Sequence, residues 1–340
     1  MLLPRIIDRS RNVEKCLESK FNFLFSMIYT DRGRLTGRCT SLRSLFLVAV
    51  LVLLVAKPVQ SQEPAATVAH PVPTDAPTSA LFRKVLDNQK RMDLAMEQFQ
   101  RTERTEIRKV GNTSAPSEVK VYRVFPAGTG MDKMPLSSDG KPINTQSYIA
   151  DLEKLEKALV WAAQRGAAQE EAYAKAERKR KERNDLLDAT HEAFIFTRVG
   201  EEFRGDRKLI KYTLVPNPDY KATTRNTMIF QKVRGTVWID EATSQLARID
   251  GYVTEDISIA LFVAKVYKGS HFMQERYEVE PGLWLPSFQQ YDFDGRKFFV
   301  PIAIHERTFF SNYQRVGLPS EAVAAVRAEL GKLKASPADP

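Results

Sequence analysis

Cysteine is nearly absent from this chain: of 340 residues only Cys16 and Cys39 carry a thiol, and both precede the one long apolar run. That placement leaves no disulfide framework and no thiol nucleophile for the main body. It also leaves no Cys just after the apolar run to accept a lipid anchor. Histidine is scarce as well, with four residues at 70, 191, 271 and 305. The pairs His191-Glu192 and His305-Glu306 invite a metalloprotease reading. Each lacks the second His four residues along that would set two ligands on one helical face. There is no Gly-x-Ser-x-Gly elbow. Gly128-Thr-Gly130 is too short to cradle a phosphate, and Pro135 and Asp139-Gly140 downstream of it signal turns rather than the opening of a helix. Carboxylates are plentiful, among them Asp240, Asp250, Glu255, Asp256, Glu275 and Asp292. On strand-like segments such residues read as a solvated face rather than as a glycosidase pair. The sequence thus points away from an enzyme, a metal site and a cofactor.

What is present is a globular composition, 43% hydrophobic and 27% charged, in a chain long enough for one large domain or two ordinary ones. The formal charge of +9 is unevenly placed. Residues 1–61 hold 10 Lys/Arg against 4 Asp/Glu, whereas residues 62–340 hold 41 against 38. The body is nearly neutral, so nucleic acid is not an expected partner. Leu45 to Ala56 is an unbroken apolar run of 12 residues, preceded by Arg32, Arg34, Arg38 and Arg43. It suits a signal-peptide core of about 7 to 15 residues better than a membrane span of about 20. Cleavage is expected near Ser61, with translation starting at Met1 or Met27, and the exported chain is expected in a periplasm as a soluble monomer.

The expected organisation is a leader and signal peptide over 1–61, a Pro/Ala-rich linker over 62–78, a single domain over 79–318 and a C-terminal helix and tail over 319–340. Phe82, Val85, Leu86, Met92, Met96 and Phe99 recur at helical spacing, so an amphipathic helix begins near Ser79. Thr145 to about Leu187 reads as a long charged helical insertion with an apolar stripe of Ile149, Leu152, Leu155, Leu159 and Ala163. Lys175, Arg178, Lys179, Arg180, Lys181 and Arg183 then make it strongly basic. Those bases could face an anionic membrane or membrane-protein surface. The plainer reading is a solvated helix with Glu171–Lys175 and Glu177–Lys181 pairs. A last helix is expected over Ser320 to Leu333 with Ser320 as its cap.

Most of the rest is strand-like. Arg104–Val110 and Ser117–Pro126 come first, and from Phe194 onward the period is two. In the strand-like run Phe230–Asp240, Val233, Gly235, Val237 and Ile239 fall on one face and Trp238 on the other, and after a turn at Glu241–Ser244 the run Gln245–Val253 completes a hairpin. Ile257–Lys268 suits either strand or short helix. Asp294-Gly295 between two strand-like runs signals a further hairpin. The fold class is therefore α+β, a curved antiparallel β-sheet covered by amphipathic helices.

Four words in this order, Pro216-Asn-Pro-Asp-Tyr220, Arg234-Gly-Thr-Val-Trp-Ile-Asp240, Lys268-Gly-Ser-His-Phe-Met-Gln-Glu-Arg276 and Leu283-Trp-Leu-Pro286, carry a resemblance. The chain resembles the LolA-like family of periplasmic outer-membrane lipoprotein-sorting proteins, in particular its larger relatives. The resemblance covers about Phe194 to Tyr313 and implies an unclosed half-barrel whose concave face accepts acyl chains. The helical insertion departs from the compact carriers. On this reading the chain is a carrier or binder of lipids or lipoprotein acyl chains, with an envelope-sensing or scaffolding module and a periplasmic hydrolase as alternatives. The expected apolar lining is Trp238, Phe272, Trp284, Phe288 and Phe298, with Phe82, Met92 and Met96 as a lid.

Overall fold

A computed structural model describes residues 73–108, 116–224, 226–259, 264–297 and 300–335. The leader, the apolar run, the cleavage position, both cysteines, His70, Phe298 and most of the linker lie outside the described residues. None of the described helices is long and apolar enough to cross a membrane.

Helix α1 (Ala76–Met96) starts where Asp75 accepts a hydrogen bond from the Thr78 amide at 2.7 Å, with proline in its first turn. It buries Phe82, Val85, Met92 and Met96. Phe99, which shares the helical period in the sequence, instead opens strand β1 (Phe99–Arg108), because the helix stops at Met96. β2 (Glu118–Pro126), β3 (Met131–Ser138) and β4 (Lys141–Pro142) follow. Asp139 and Gly140, both at positive φ, make the expected turn. Pro135 does not turn the chain: it lies within β3 beside an irregularity in the pairing with β2, a position where a residue without an N–H is tolerated.

The helical stretch is two helices, not one. α2 (Thr145–Ala163) is capped by Asn144, and α3 (Ala167–Ala193) begins after a break at 164–166. The buried stripe of α2 is Ile149, Leu152, Leu155, Leu159 and Ala162, while Ala163 points outward. The Glu–Lys pairs expected on α3 are replaced by Lys181–Asp185 and by Arg180, which reaches back to Glu97 at 2.7 Å and to Glu177. Gly128 packs beside that break: at φ +85° a Cβ there would stand 2.8 Å from the Tyr173 hydroxyl and 2.9 Å from Ala162. The Gly128-Thr-Gly130 loop is therefore a packing contact, not a phosphate cradle.

β5 (Phe194–Arg204), β6 (Arg207–Pro216), a 3₁₀ turn (Thr227–Lys232), β7 (Val233–Asp240) and β8 (Leu246–Val253) come next. The strand thus begins at Val233 rather than at Phe230, which the 3₁₀ turn claims and buries against Phe194. The ambiguous segment is strand, as β9 (Ile257–Ile259) and β10 (Ala264–Val266). β11 (His271–Glu280), β12 (Leu283–Lys297), β13 (Val300–Arg315) and helix α4 (Pro319–Ala335) complete the chain. Ser320 lies inside α4, whose entry is held by Glu321 accepting from the Leu318 amide at 2.9 Å. Asp294-Gly295 is not a turn either, since β12 runs through it. Gly295 is required because a Cβ would approach the Lys265 carbonyl oxygen of β10 to 2.1 Å.

All strand pairs are antiparallel, in the order β4-β3-β2-β1-β13-β12-β11-β8-β7-β6-β5, with β10 and β9 attached through β12. Among the described residues the sheet is not closed: β4 and β5 end its main strand order. α2 and α3 connect those two end strands in the chain, so the segment that reads as an insertion joins one end of the strand order to the other. The helices use both faces. Phe82 and Val85 of α1 and Leu186 of α3 pack with Phe194, Phe196, Ile210, Tyr212, Val237 and Ile239. α2 and α4 pack on Phe125 and Met134, which alternate with Val124 and Lys133 and so face the other way. Each fully buried leucine of α2, such as Leu152 or Leu159, contributes about 1.5–3 kcal/mol through removal from water.

Candidate functional site

The face of the sheet beneath α1 is the candidate binding surface. Residues paired across antiparallel strands share a face. The register therefore traces one row from Tyr212 through Val237, Ile249, Gln274, Gln289 and Thr308 to Thr105. The row begins apolar and ends polar, although Gln274, Gln289, Thr308 and Thr105 are all buried. The hydroxyls of Thr105 and Thr308 lie 3.2 Å apart, and Thr308 donates to Glu306 at 3.3 Å. These bonds offset part of the cost of burying the two hydroxyls.

Beside this row lies a buried charge group. Arg101 and Glu103, 1% and 2% exposed, pair at 2.6 Å, and Lys133 from β3 binds the other carboxylate oxygen. Burial by itself would raise the Glu103 carboxyl, but the Arg101 and Lys133 charges outweigh it and hold it below its ordinary value. Tyr313 donates to the Pro286 carbonyl at 2.8 Å, and burial pushes its hydroxyl far above the usual phenol range. Nothing in the sequence marked this group as buried. The signal that could have found it is the period-two alternation Arg101, Glu103, Thr105 on a strand whose neighbours are both long.

The expected lining residues separate. Phe82 stacks on Phe196, ring centroids 3.7 Å apart, and meets Tyr212 edge-on at 5.2 Å. Met92, Met96 and Trp284 share one buried cluster with Leu209, Leu285 and Trp238, and Met92 Sδ accepts from the Trp284 amide at 3.2 Å. Trp238 nevertheless leaves β7 on the side opposite Val237 and Ile239. There Lys211 and Arg248 lie over its ring at 5.2 and 4.6 Å, and its indole N–H donates to Glu202 at 2.9 Å. Phe272 belongs to the inner face and covers Gly251, where a Cβ would strike its ring at 2.4 Å. Phe288 is registered with Glu275 and Phe309, hence on the same side of the sheet as Arg248, and packs on Phe309 at 5.1 Å. The structure thus brings Phe82, Met92, Met96, Trp284 and Phe272 to the α1 side or its end, and sets Phe288 and the Trp238 ring apart from them.

The remaining chemistry-bearing residues are engaged in pairs. His271 Nε2 meets Asp250 at 2.7 Å, His305 Nδ1 meets Asp292 at 3.1 Å, and His191 bonds Ser79. Asp240 is not on a solvated face: it is buried, accepts from the Thr243 amide and hydroxyl at 2.9 and 2.6 Å, and thereby builds the β7–β8 turn. Of the basic run on α3, Arg180 and Arg183 turn inward toward Glu97 and Asp93.

No protein-family model matches the sequence, and no curated protein matches it. Among solved structures, the chain is similar to an outer membrane lipoprotein-sorting protein domain from Vibrio parahaemolyticus. The two share 10% identity over 73% of this chain and 99% of that one, with a TM-score of 0.28. It is also similar to a DUF1329 family protein from Desulfovibrio piger, at 14% identity over 70% of this chain and 94% of that one, with a TM-score of 0.26. The first carries the description of the family that the sequence words resemble.

Proposed function

We propose that this chain is a non-catalytic carrier or binder of acyl chains, acting in a periplasm after export and holding its ligand between α1 and the inner face of the open sheet. The observation that carries the reading is how α1 is seated. It rests on the sheet through Phe82 and Val85 at one end and through Met92 and Met96 at the other. Between them stand Asn88 and Gln89, whose side chains bond the β7–β8 turn and Asp93 rather than sheet side chains. A helix held over an unclosed sheet at two apolar ends, one of them made of pliable methionines, can lift to admit an apolar chain. Burial of about a dozen methylenes would contribute on the order of 10 kcal/mol before ordering costs, with no catalytic group required.

Native mass spectrometry of the protein purified from its own envelope tests this reading. Co-purified acylated species that are lost when Met92 and Met96 are replaced by aspartate are the expected result. Repeated recovery of the bare polypeptide would remove the proposal.

A further inference from the structure

Asp93, on the last turn of α1, is approached by two guanidinium groups and satisfies neither well. Arg276 Nη2 stands 3.5 Å from one of its oxygens and Arg183 Nε 3.8 Å from the other, while Gln89 donates to the first at 2.6 Å. Arg276 is only 6% exposed, its other contact is the Trp284 carbonyl at 3.5 Å, and its Nε has no hydrogen-bond partner. Arg183 Nε likewise donates to no acceptor within hydrogen-bonding distance. The indole N–H of Trp284, a residue 3% exposed whose backbone touches both Met92 and Arg276, has no acceptor. Two cations thus share one carboxylate, and three buried N–H donors around the end of α1 are left unsatisfied. Donors buried without acceptors are costly, and uncompensated buried charge costs more. The Trp284 ring also carries the Arg207 guanidinium at 5.0 Å from its centroid, so the cationic character extends to this side chain. Such groups are retained where something else supplies the acceptor, and guanidinium and indole N–H donors both suit an oxyanion.

Building on the acyl-binding reading, we propose that Arg276, Arg183 and Trp284 Nε1 anchor the acidic headgroup of the ligand, a carboxylate or phosphate oxyanion whose acyl chain lies along Met92 and Met96. The methionines supply adaptable apolar packing next to the anchor. The ligand class is then an anionic acyl lipid, and an uncharged glyceride is discriminated against because it leaves the excess cation unmatched.

Isothermal titration calorimetry on the delipidated full-length protein tests this with three probes: palmitate, monopalmitoylglycerol and inorganic phosphate. Palmitate is expected to bind at least tenfold more tightly than monopalmitoylglycerol. Arg183→Gln should cut that preference to below threefold without weakening monopalmitoylglycerol, and Trp284→Phe should weaken palmitate by a larger factor than it weakens monopalmitoylglycerol. Arg276→Gln should act as Arg183→Gln does, with its melting curve recorded alongside to separate misfolding from lost recognition. Equal affinity for the two lipids overturns the anchor and leaves the acyl-binding reading standing. Phosphate binding without palmitate binding overturns the acyl half of both, and silence from all three probes overturns both entirely.

Discussion

Replacing Glu103 by glutamine removes the carboxylate that Arg101 and Lys133 share while keeping the side-chain shape. The Arg101 and Glu103 side chains are 0% and 2% exposed and that of Lys133 13%, so water cannot readily take over the lost interaction. Breaking a buried pair by deleting one partner costs about 3–5 kcal/mol, against roughly 0–1 kcal/mol for an exposed pair. With a total stability of about 5–15 kcal/mol, this is a large fraction of what holds the domain. The melting temperature should fall by roughly 10 °C at neutral pH. The pH dependence has a definite sign. The folded Glu103 carboxyl sits below its ordinary value, so its contribution is complete above that value and is lost as pH falls through the lowered one. Urea denaturation of wild type and Glu103→Gln between pH 7 and pH 3 should therefore show a gap that narrows on acidification. A gap under about 0.5 kcal/mol at pH 7, or one that stays constant down to pH 3, would refute the argument that this cluster is electrostatically bound inside the sheet.

Gly251→Val should destabilise by about 1–3 kcal/mol in the same assay, because the new side chain enters the Phe272 ring. Adding Phe272→Ala should recover part of that loss, which a backbone-only effect at Gly251 would not. Leu159→Ala, in the fully buried seam of α2 with α4, should cost about 2–5 kcal/mol while leaving acyl binding unchanged. Retained stability there would contradict the packing of α2 and α4 onto the outer side of β2 and β3.

The placement of strands was largely legible because alternation is local: β6, β7, β8 and β11 follow residue patterns that any pleated strand imposes. The errors occurred where one residue type serves two purposes. Asp294-Gly295 reads as a turn, but its glycine answers to a carbonyl of β10 that lies thirty residues away in the chain. Phe99 keeps the helical period of α1, yet pairing with Arg315 claims it for β1. Ser320 has the chemistry of a cap, but Glu321 does the capping.

By itself, the sequence determined the fold class, the near-neutral body, the absence of a thiol from everything after Cys39, and the apolar faces of α1 and α2, since each follows from composition or short-range period. Only the tertiary structure decided which face of each strand meets α1. Trp238 and Val237 are equally apolar neighbours, and the choice between them is made by Lys211, Arg248 and Glu202 on one side and Phe82 on the other. It likewise decided that Arg101, Glu103, Gln274, Gln289 and Arg276 are interior, because their burial comes from strands and a helix far apart in sequence, whose convergence no local pattern encodes.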